Sequence, residues 1–125
     1  MNVASETEQG RELERAQWEV FFEDLNRRLA HGGRFEATIE LIGDQVGGGE
    51  AERLPLNSLT YEDGDDEIAI GLGGRGQRYP AALWHFAEHP YRVWVNEQDG
   101  APAAITIQSR DGTRTLMRLY PVAAR

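Results

Sequence analysis

Two histidines in the second half of the chain have the spacing of metal ligands. Residues 85–89 read His-Phe-Ala-Glu-His, a zinc-binding pattern with two histidines four residues apart and a glutamate beside the second. On a helix this spacing places the imidazoles of His85 and His89 on one face. A catalytic zinc ion also needs a third protein ligand, and the sequence singles out none. We therefore expect no metal site, and His85 and His89 are the candidate ligands if one exists.

Three glycines, Gly71, Gly73 and Gly76, spell the G-x-G-x-x-G fingerprint of dinucleotide-binding folds, and Glu97 follows 21 residues after the last of them. The fingerprint works because a helix begins within the glycine turn and binds phosphate at its N-terminus. Here three further residues separate Gly76 from Pro80, where the next helix is expected to start. We therefore expect these glycines to form a connector, and we expect no cofactor.

The carboxylates do not form a catalytic pair in the sequence. Glu36 and Glu40 share one face of an expected strand, which places them ~13 Å apart, farther than the carboxylate pairs of glycosidases. The acidic run Glu62–Glu67 is typical of a hairpin turn. No residue is predicted to be catalytic. The alternative is a small hydrolase or lyase that uses His85 or His89 with a nearby carboxylate.

The last three expected strands carry the surface with the composition of a binding site. If the valines beside Trp94 face the core, Arg92 and Trp94 face outward, and Thr106 and Arg118 lie on outward faces of the following strands. Arginine and tryptophan are enriched among residues that dominate protein interfaces. These four residues are the partner-binding candidates. In the alternative interpretation, Trp94 lies beneath a helix of the same chain.

The elements that must position these residues follow from hydrophobic periodicity. Apolar residues at relative positions 0, 3, 4, 7 and 11 from Trp18 predict one long helix over Glu12–His31. Alternation of apolar and polar residues then predicts strands at Arg34–Ile42, Leu54–Tyr61 and Glu67–Leu72.

The second half repeats this order. Pro80 and Pro90 bracket a predicted short helix over Pro80–His89. Three strands are predicted after it, joined by Asp-Gly turns: Tyr91–Asn96, Ala103–Ser109 and Thr113–Tyr120. The expected fold is α+β, with a curved antiparallel sheet of about six strands, able to close partly into a barrel, and with one long and one short helix.

Length and composition limit the remaining classes of function. The 125 residues suffice for one core, so we expect a flexible tail over residues 1–10 and a single domain over 11–125. The net charge is −8, and all 13 basic residues are arginine. The absence of cysteine excludes disulfides and thiolate chemistry. The acidic balance opposes broad binding of nucleic acid.

No apolar segment is long enough to cross a membrane, and the first ten residues lack the apolar core of a signal peptide. We expect a cytoplasmic protein. A second alternative remains, the local binding of an anion or RNA through the arginines Arg75, Arg78, Arg92 and Arg118.

Several segments together resemble a family of small bacterial proteins classed as a domain of unknown function. The segments are Trp18-x-x-Phe21-Phe22-x-x-Leu25, Leu54-Pro55-Leu56-x-x-Leu59-x-Tyr61, His85-x-x-x-x-Pro90 and Asp111-Gly112-Thr113-Arg114. The resemblance extends from about Trp18 to Tyr120 and implies no reaction and no catalytic residues. The leading hypothesis is therefore a non-catalytic cytoplasmic binding or accessory module that engages a protein or a second copy of itself.

Overall fold

The computed structural model of the chain describes residues 10–43, 53–74 and 82–122. These residues form one helix, α1, and eight strands. The helix spans Arg15–Ala30. The strands are β1 (Arg11–Leu13), β2 (Phe35–Ile42), β3 (Leu54–Glu62), β4 (Glu67–Leu72), β5 (Leu83–Glu88), β6 (Pro90–Gln98), β7 (Ala101–Ser109) and β8 (Arg114–Pro121).

All eight strands belong to one antiparallel sheet with the order β1-β6-β7-β8-β2-β3-β4-β5. The expected fold class, a two-helix α+β protein with about six strands, is therefore wrong, because the described chain is mostly β with a single helix. The sheet is also not closed, since β1 and β5, at its two ends, do not pair with each other within the described residues.

The sheet curls strongly on itself. His85 of β5 and Thr115 of β8 lie 3.4 Å apart between imidazole Nε2 and hydroxyl Oγ1. Three strands separate β8 from β5 in the sheet order, and in a flat sheet that separation would be about 19 Å. The inner face of β5 is therefore turned toward β8, and the strands share one core, which includes Ile70, Ile107 and Met117.

The helix is shorter than expected because the three residues before it form a strand. Arg11, Glu12 and Leu13 pair with β6. Gly10 makes this approach feasible, because a Cβ atom at that position would lie 2.2 Å from the carbonyl oxygen of Val95. The backbone amide of Glu14 then donates to the Gln17 side chain at 2.9 Å and α1 begins.

At its other end α1 terminates at Ala30, and Gly32 follows with φ +94°. Within the described ranges α1 is the only helix, and it is neither long nor apolar enough to span a membrane. Its buried residues are Trp18, Phe22 and Leu25, while Phe21 and Leu29 pack against the core from its margin. The predicted apolar stripe is thus the face that contacts the sheet.

A side chain of α1 completes the hydrogen bonding of β3. Strand β2 pairs with β3 only at Glu36 with Pro55 and at Ala37 with Leu54. Farther along β3, the amide nitrogen of the Asn26 side chain donates to the Leu59 carbonyl at 2.8 Å, and the Asn26 side-chain oxygen accepts from the Leu59 amide at 3.0 Å. The helix therefore occupies the gap where β2 and β3 separate.

The core face of α1 predicts a large difference between two substitutions. Leu25 is 2% exposed, so Leu25→Ala is expected to lower the free energy of unfolding by about 2–5 kcal/mol. Arg28 is exposed and makes only a long ion pair with Asp24, so Arg28→Ala is expected to change it by less than about 0.5 kcal/mol. Urea denaturation measures both values, and equal losses would contradict the assigned core face.

The hydrogen bonds between Asn26 and Leu59 predict an effect on hydrogen exchange at Leu59 as well as on the free energy of unfolding. Asn26→Ala leaves the backbone amide and carbonyl of Leu59 without these partners, so we expect a loss of about 1–3 kcal/mol and faster hydrogen exchange at the Leu59 amide. Arg27→Ala, on the exposed side of the same helix turn, is the control. If the two variants exchange the Leu59 amide at the same rate, Asn26 does not complete the sheet.

Candidate binding surface

Strand β5 forms one end of the sheet and presents an open edge. It pairs with β4 along its whole length, from the Glu67/Glu88 pair to the Leu72/Leu83 pair, without any shift of register. Within residues 10–43, 53–74 and 82–122, no strand pairs with its other side. Sequence analysis predicted a short helix over this segment, which is wrong. The observed side chains alternate between two faces, as in any strand.

Two aromatic rings lie side by side on the outer face of β5. The rings of Trp84 and Phe86 are nearly parallel, at an interplanar angle of 17°, and their centroids are 6.2 Å apart. Each residue is 47% exposed. Because aromatic residues carry the largest apolar surfaces of any side chains, these two half-exposed rings in contact form one continuous apolar patch on the outer face.

Small residues on the neighbouring strand allow the rings to lie against the sheet. Gly71 is paired with Trp84, and a Cβ atom at Gly71 would be 3.0 Å from the indole ring and 3.0 Å from the Ser58 hydroxyl. Ala69, which is buried, is paired with Phe86. We call β5 with the outward rings of Trp84 and Phe86 the aromatic edge.

Three glutamates extend the outer face next to the aromatic edge. Glu62 of β3 pairs with Glu67 of β4, and Glu67 pairs with Glu88 of β5. Directly paired residues of an antiparallel sheet point to the same face, so the three carboxylates stand in one row across three strands. We call these three residues the glutamate row.

The two histidines of the predicted metal motif are not on a helix and do not share a face. His85 points into the curled sheet, where burial lowers the pKa of its imidazole. His89 follows β5 in a left-handed conformation at φ +49° and is exposed. In the parts of the chain that the structure describes, no three His, Cys, Asp or Glu residues are grouped as metal ligands.

His89 instead belongs to a polar network at one end of the sheet. Its Nδ1 atom lies 3.4 Å from Asp66 Oδ2, while Asp66 Oδ1 accepts from the Tyr61 hydroxyl at 2.9 Å and from Arg15 at 3.1 Å. Arg15 also donates to the Tyr61 hydroxyl. The hydrogen bond from Tyr61, followed by those from His89 and Arg15, lowers the pKa of Asp66 against the opposing effect of burial.

The tyrosine of this network has the opposite shift. Burial, together with the neighbouring Asp66 carboxylate, raises the pKa of Tyr61 above its ordinary value. Tyr61 also meets Trp18 edge to face at 5.4 Å between ring centroids, so the network is anchored to the core face of α1. His89 joins this network through its contact with Asp66.

The predicted partner patch around Trp94 is covered. Trp94 faces away from Val93 and Val95, as the alternation indicates, but it is only 5% exposed. The guanidinium carbons of Arg92 and Arg114 lie 5.0 and 5.7 Å from its ring centroid. Trp94 thus lies on the outer face of its strand, where the side chains of Arg92 and Arg114 contact its ring.

The other three partner-binding candidates lie in different surroundings. Arg92 makes a bidentate ion pair with Glu12 of β1, with contacts of 2.8 and 3.1 Å. Thr106 is buried beside Trp94, its partner across the strands, and Arg118 is exposed on β8. Contact with a partner through these residues stays a prediction.

The glycine fingerprint is not a phosphate-binding turn in the described residues. Gly71 lies within β4, and Gly73 has φ +90° with its α-carbon close to Ala82. Gly76 lies outside the described residues, as do Arg75 and Arg78 of the proposed arginine cluster.

Sequence analysis missed Trp84 and Phe86 as functional residues. The signal was present, because Trp84, Phe86 and Glu88 alternate with His85 and Ala87 at the period of a strand. The flanking prolines and the histidine spacing favoured a helix instead.

An open, curled antiparallel sheet packed on one helix, with an aromatic edge, defines a small, mostly β protein of one core. A family model described as "Family of unknown function (DUF5335)" matches residues 9–124, and the chain belongs to this family. A protein from Aquifex aeolicus (strain VF5), described as "Uncharacterized protein", is 32% identical over 110 residues, which cover 87% of this chain and 90% of that protein. The comparison with solved structures found no match. The resemblance deduced from the sequence is thus confirmed.

The hydrogen bonds to Asp66 predict a pH-dependent contribution to stability. A carboxyl group whose pKa is lowered by folding stabilises the fold above about pH 4 and loses that contribution as pH falls through its folded pKa. Wild type is therefore expected to exceed Asp66→Asn in unfolding free energy at pH 7, by a margin that narrows below about pH 4.

Urea denaturation between pH 3 and pH 7 measures this margin. Tyr61→Phe removes the hydroxyl donor to Asp66. The difference in unfolding free energy between wild type and Tyr61→Phe should therefore also become smaller as the pH falls. A difference between wild type and Asp66→Asn that stays constant across this range would contradict the assigned role of the network.

Proposed function

We propose that the chain is a non-catalytic binding module that takes an extended segment of a partner polypeptide against β5. The observation that carries this proposal is the stacked pair Trp84 and Phe86, half exposed on an edge strand that no described strand covers. An edge strand offers a row of backbone donors and acceptors to an added strand, and side chains at alternate positions supply specificity.

The contrast between the two ends of the sheet supports this choice. Soluble proteins protect sheet edges with short strands, prolines, lysines or bulges. β1 has only three residues, and its Glu12 is paired with Arg92. β5 has six residues, with neither proline nor bulge, and exposes two aromatic rings. The aromatic edge is thus the end of the sheet with the least protection against strand addition.

The aromatic rings also have the chemistry of an interface. Tryptophan is enriched among the few residues that contribute most of the binding free energy. Trp84 presents far more of its surface than Trp94, which Arg92 and Arg114 cover. The proposal therefore moves the contact surface from the Arg92–Trp94 face to β5. A cytoplasmic location remains part of the proposal and is supported by the absence of cysteine from the sequence.

A second candidate function, a small hydrolase or lyase, is favoured by one observation. His89 is paired with Asp66, as in enzymes that orient a histidine with a carboxylate. Nucleophilic catalysis also requires a nucleophile within hydrogen-bond reach of the histidine, and none is found among the described contacts of His89. We therefore keep this network as a control in the test of the binding module.

The binding module can be tested by panning a random heptapeptide phage library against the full chain. Enriched peptides are expected to slow hydrogen exchange of the β5 amides. The double variant Trp84→Ala/Phe86→Ala should weaken their binding at least tenfold, measured by isothermal titration calorimetry, because it removes the exposed apolar surface.

Two controls make this test specific. Val20, which is 69% exposed on α1, supplies the variant Val20→Ala, which removes exposed apolar surface elsewhere. Asp66→Asn removes the carboxylate partner of His89 and changes no side chain of β5. Both should bind the enriched peptides as wild type does, and thermal unfolding verifies that each variant is folded. Enriched peptides that bind the double variant with unchanged affinity would refute the proposal.

A further inference from the structure

We propose that the strand recognised by the aromatic edge is basic, with arginine or lysine at alternate positions facing Trp84, Phe86 and Glu88. This inference rests on the proposed function and adds the chemistry of the partner. Two independent observations support it. One is the surroundings of the aromatic rings in this chain, and the other is the glutamate row.

The first observation concerns how this chain covers its aromatic rings. Five of its tryptophan and tyrosine rings have an arginine guanidinium group 3.9 to 5.7 Å from the ring centroid; they are Trp18, Tyr61, Tyr91, Trp94 and Tyr120. Among the described tryptophans and tyrosines, only Trp84 has no described arginine over its ring. Its exposed face, next to Phe86, is a site where a cation from outside can make the same contact.

The second observation concerns charge. Glu62, Glu67 and Glu88 face one another across adjacent strands, and like charges directly opposite each other destabilise a sheet. Arginine or histidine ion pairs within the described residues engage other acids, namely Glu12, Asp24, Glu36, Asp66 and Glu97. The glutamate row has no such partner there.

The geometry of strand addition brings the two observations together. A strand that pairs with β5 continues the same rows of side chains outward from Trp84, Phe86 and Glu88. Successive outward side chains of that strand are about 7 Å apart, which is also the spacing of these three residues along β5. One alternating basic segment can therefore place cations over both rings and beside the end of the glutamate row.

A second copy of this chain fits the same edge less well. It brings a net charge of −8 and a second glutamate row, and the two copies repel each other at low salt. Its own β5 offers the outward sequence Trp84, Phe86 and Glu88, with no cation. Charge complementarity therefore favours a basic partner segment over self-association.

Two blocked synthetic peptides test the inference, Arg-Val-Arg-Val-Arg-Val-Arg and Glu-Val-Glu-Val-Glu-Val-Glu. We expect the arginine peptide to bind the full chain at least tenfold more tightly at 50 mM salt, with affinity that falls at 300 mM salt. Binding is measured by tryptophan fluorescence and calorimetry, and its location by hydrogen exchange of β5. Equal affinities for the two peptides would overturn the inference.

A charge reversal separates a specific contact from general attraction. The double variant Glu67→Arg/Glu88→Arg should bind the arginine peptide at least tenfold more weakly than wild type and should bind the glutamate peptide more tightly. Glu19→Arg/Glu23→Arg is the matched control, because it changes the net charge equally, from −8 to −4, on exposed positions of α1. If both double variants lower the affinity for the arginine peptide equally, the attraction is non-specific and the inference fails.

The remaining outcomes also decide between the two proposals. Library peptides that protect β5 without enrichment of basic residues would overturn this inference and leave the binding module in place. A lack of protection at β5 by any peptide would overturn both. If wild type sediments as a dimer and Trp84→Ala as a monomer, a second copy of the chain occupies the aromatic edge. That result would refute a basic partner.

Discussion

The two hydrogen bonds between the Asn26 side chain and the backbone of Leu59 join the helix to the sheet at the point where the sheet opens. β2 stops pairing with β3 after Ala37, so the middle of β3 needs another donor and acceptor. A primary amide supplies one of each, as a neighbouring strand would. Because α1 takes the place of a strand there, the backbone amide and carbonyl of Leu59 stay paired where the sheet opens and curls until β5 reaches β8.

Arginine side chains lie over most of the described tryptophan and tyrosine rings of this protein. The chain has no lysine, and the planar guanidinium group of arginine can lie over a ring while it still binds a carboxylate. Arg92 does both, since it lies 5.0 Å from the Trp94 ring centroid and binds Glu12. Together with Arg114, Arg92 covers the Trp94 ring on the outer face of the sheet. No described arginine lies over Trp84, which is 47% exposed beside the equally exposed Phe86 on β5.

The sequence was informative where one periodicity dominated a segment and misleading where two signals competed. The strand Glu67–Leu72 was predicted with its observed bounds, and the stripe through Trp18 and Leu25 is the core face of the helix. The segment 80–89 failed because flanking prolines and a four-residue histidine spacing outweighed a short alternation of side chains. β1 could not be foreseen, since three residues carry too little pattern. Its pairing with β6 also depends on the close approach of Gly10 to Val95, a residue far away in the sequence.

The surface was harder to predict than the fold, for a physical reason. Alternation tells which side chains share a face of a strand, but not which face another part of the molecule covers. Trp94 and Trp84 both lie on the outer faces of their strands. Only the three-dimensional structure shows that described guanidinium groups lie over the ring of Trp94 and not over that of Trp84. The pairing of Glu62, Glu67 and Glu88 likewise depends on strand register, which no local pattern in the sequence specifies.

An open aromatic edge normally risks pairing with copies of the same chain, and the glutamate row bears on that risk as well as on recognition. Charged side chains at a sheet edge are a common means of preventing such association. The chain has a net charge of −8, and none of the three carboxylates makes an ion pair with a described residue. They therefore disfavour an identical acidic edge more than they disfavour a basic strand. Discrimination between partners needs a repulsive element as well as an attractive one. The stability lost by placing three like charges side by side is therefore consistent with selection for an edge that stays open to one class of partner and closed to its own copies.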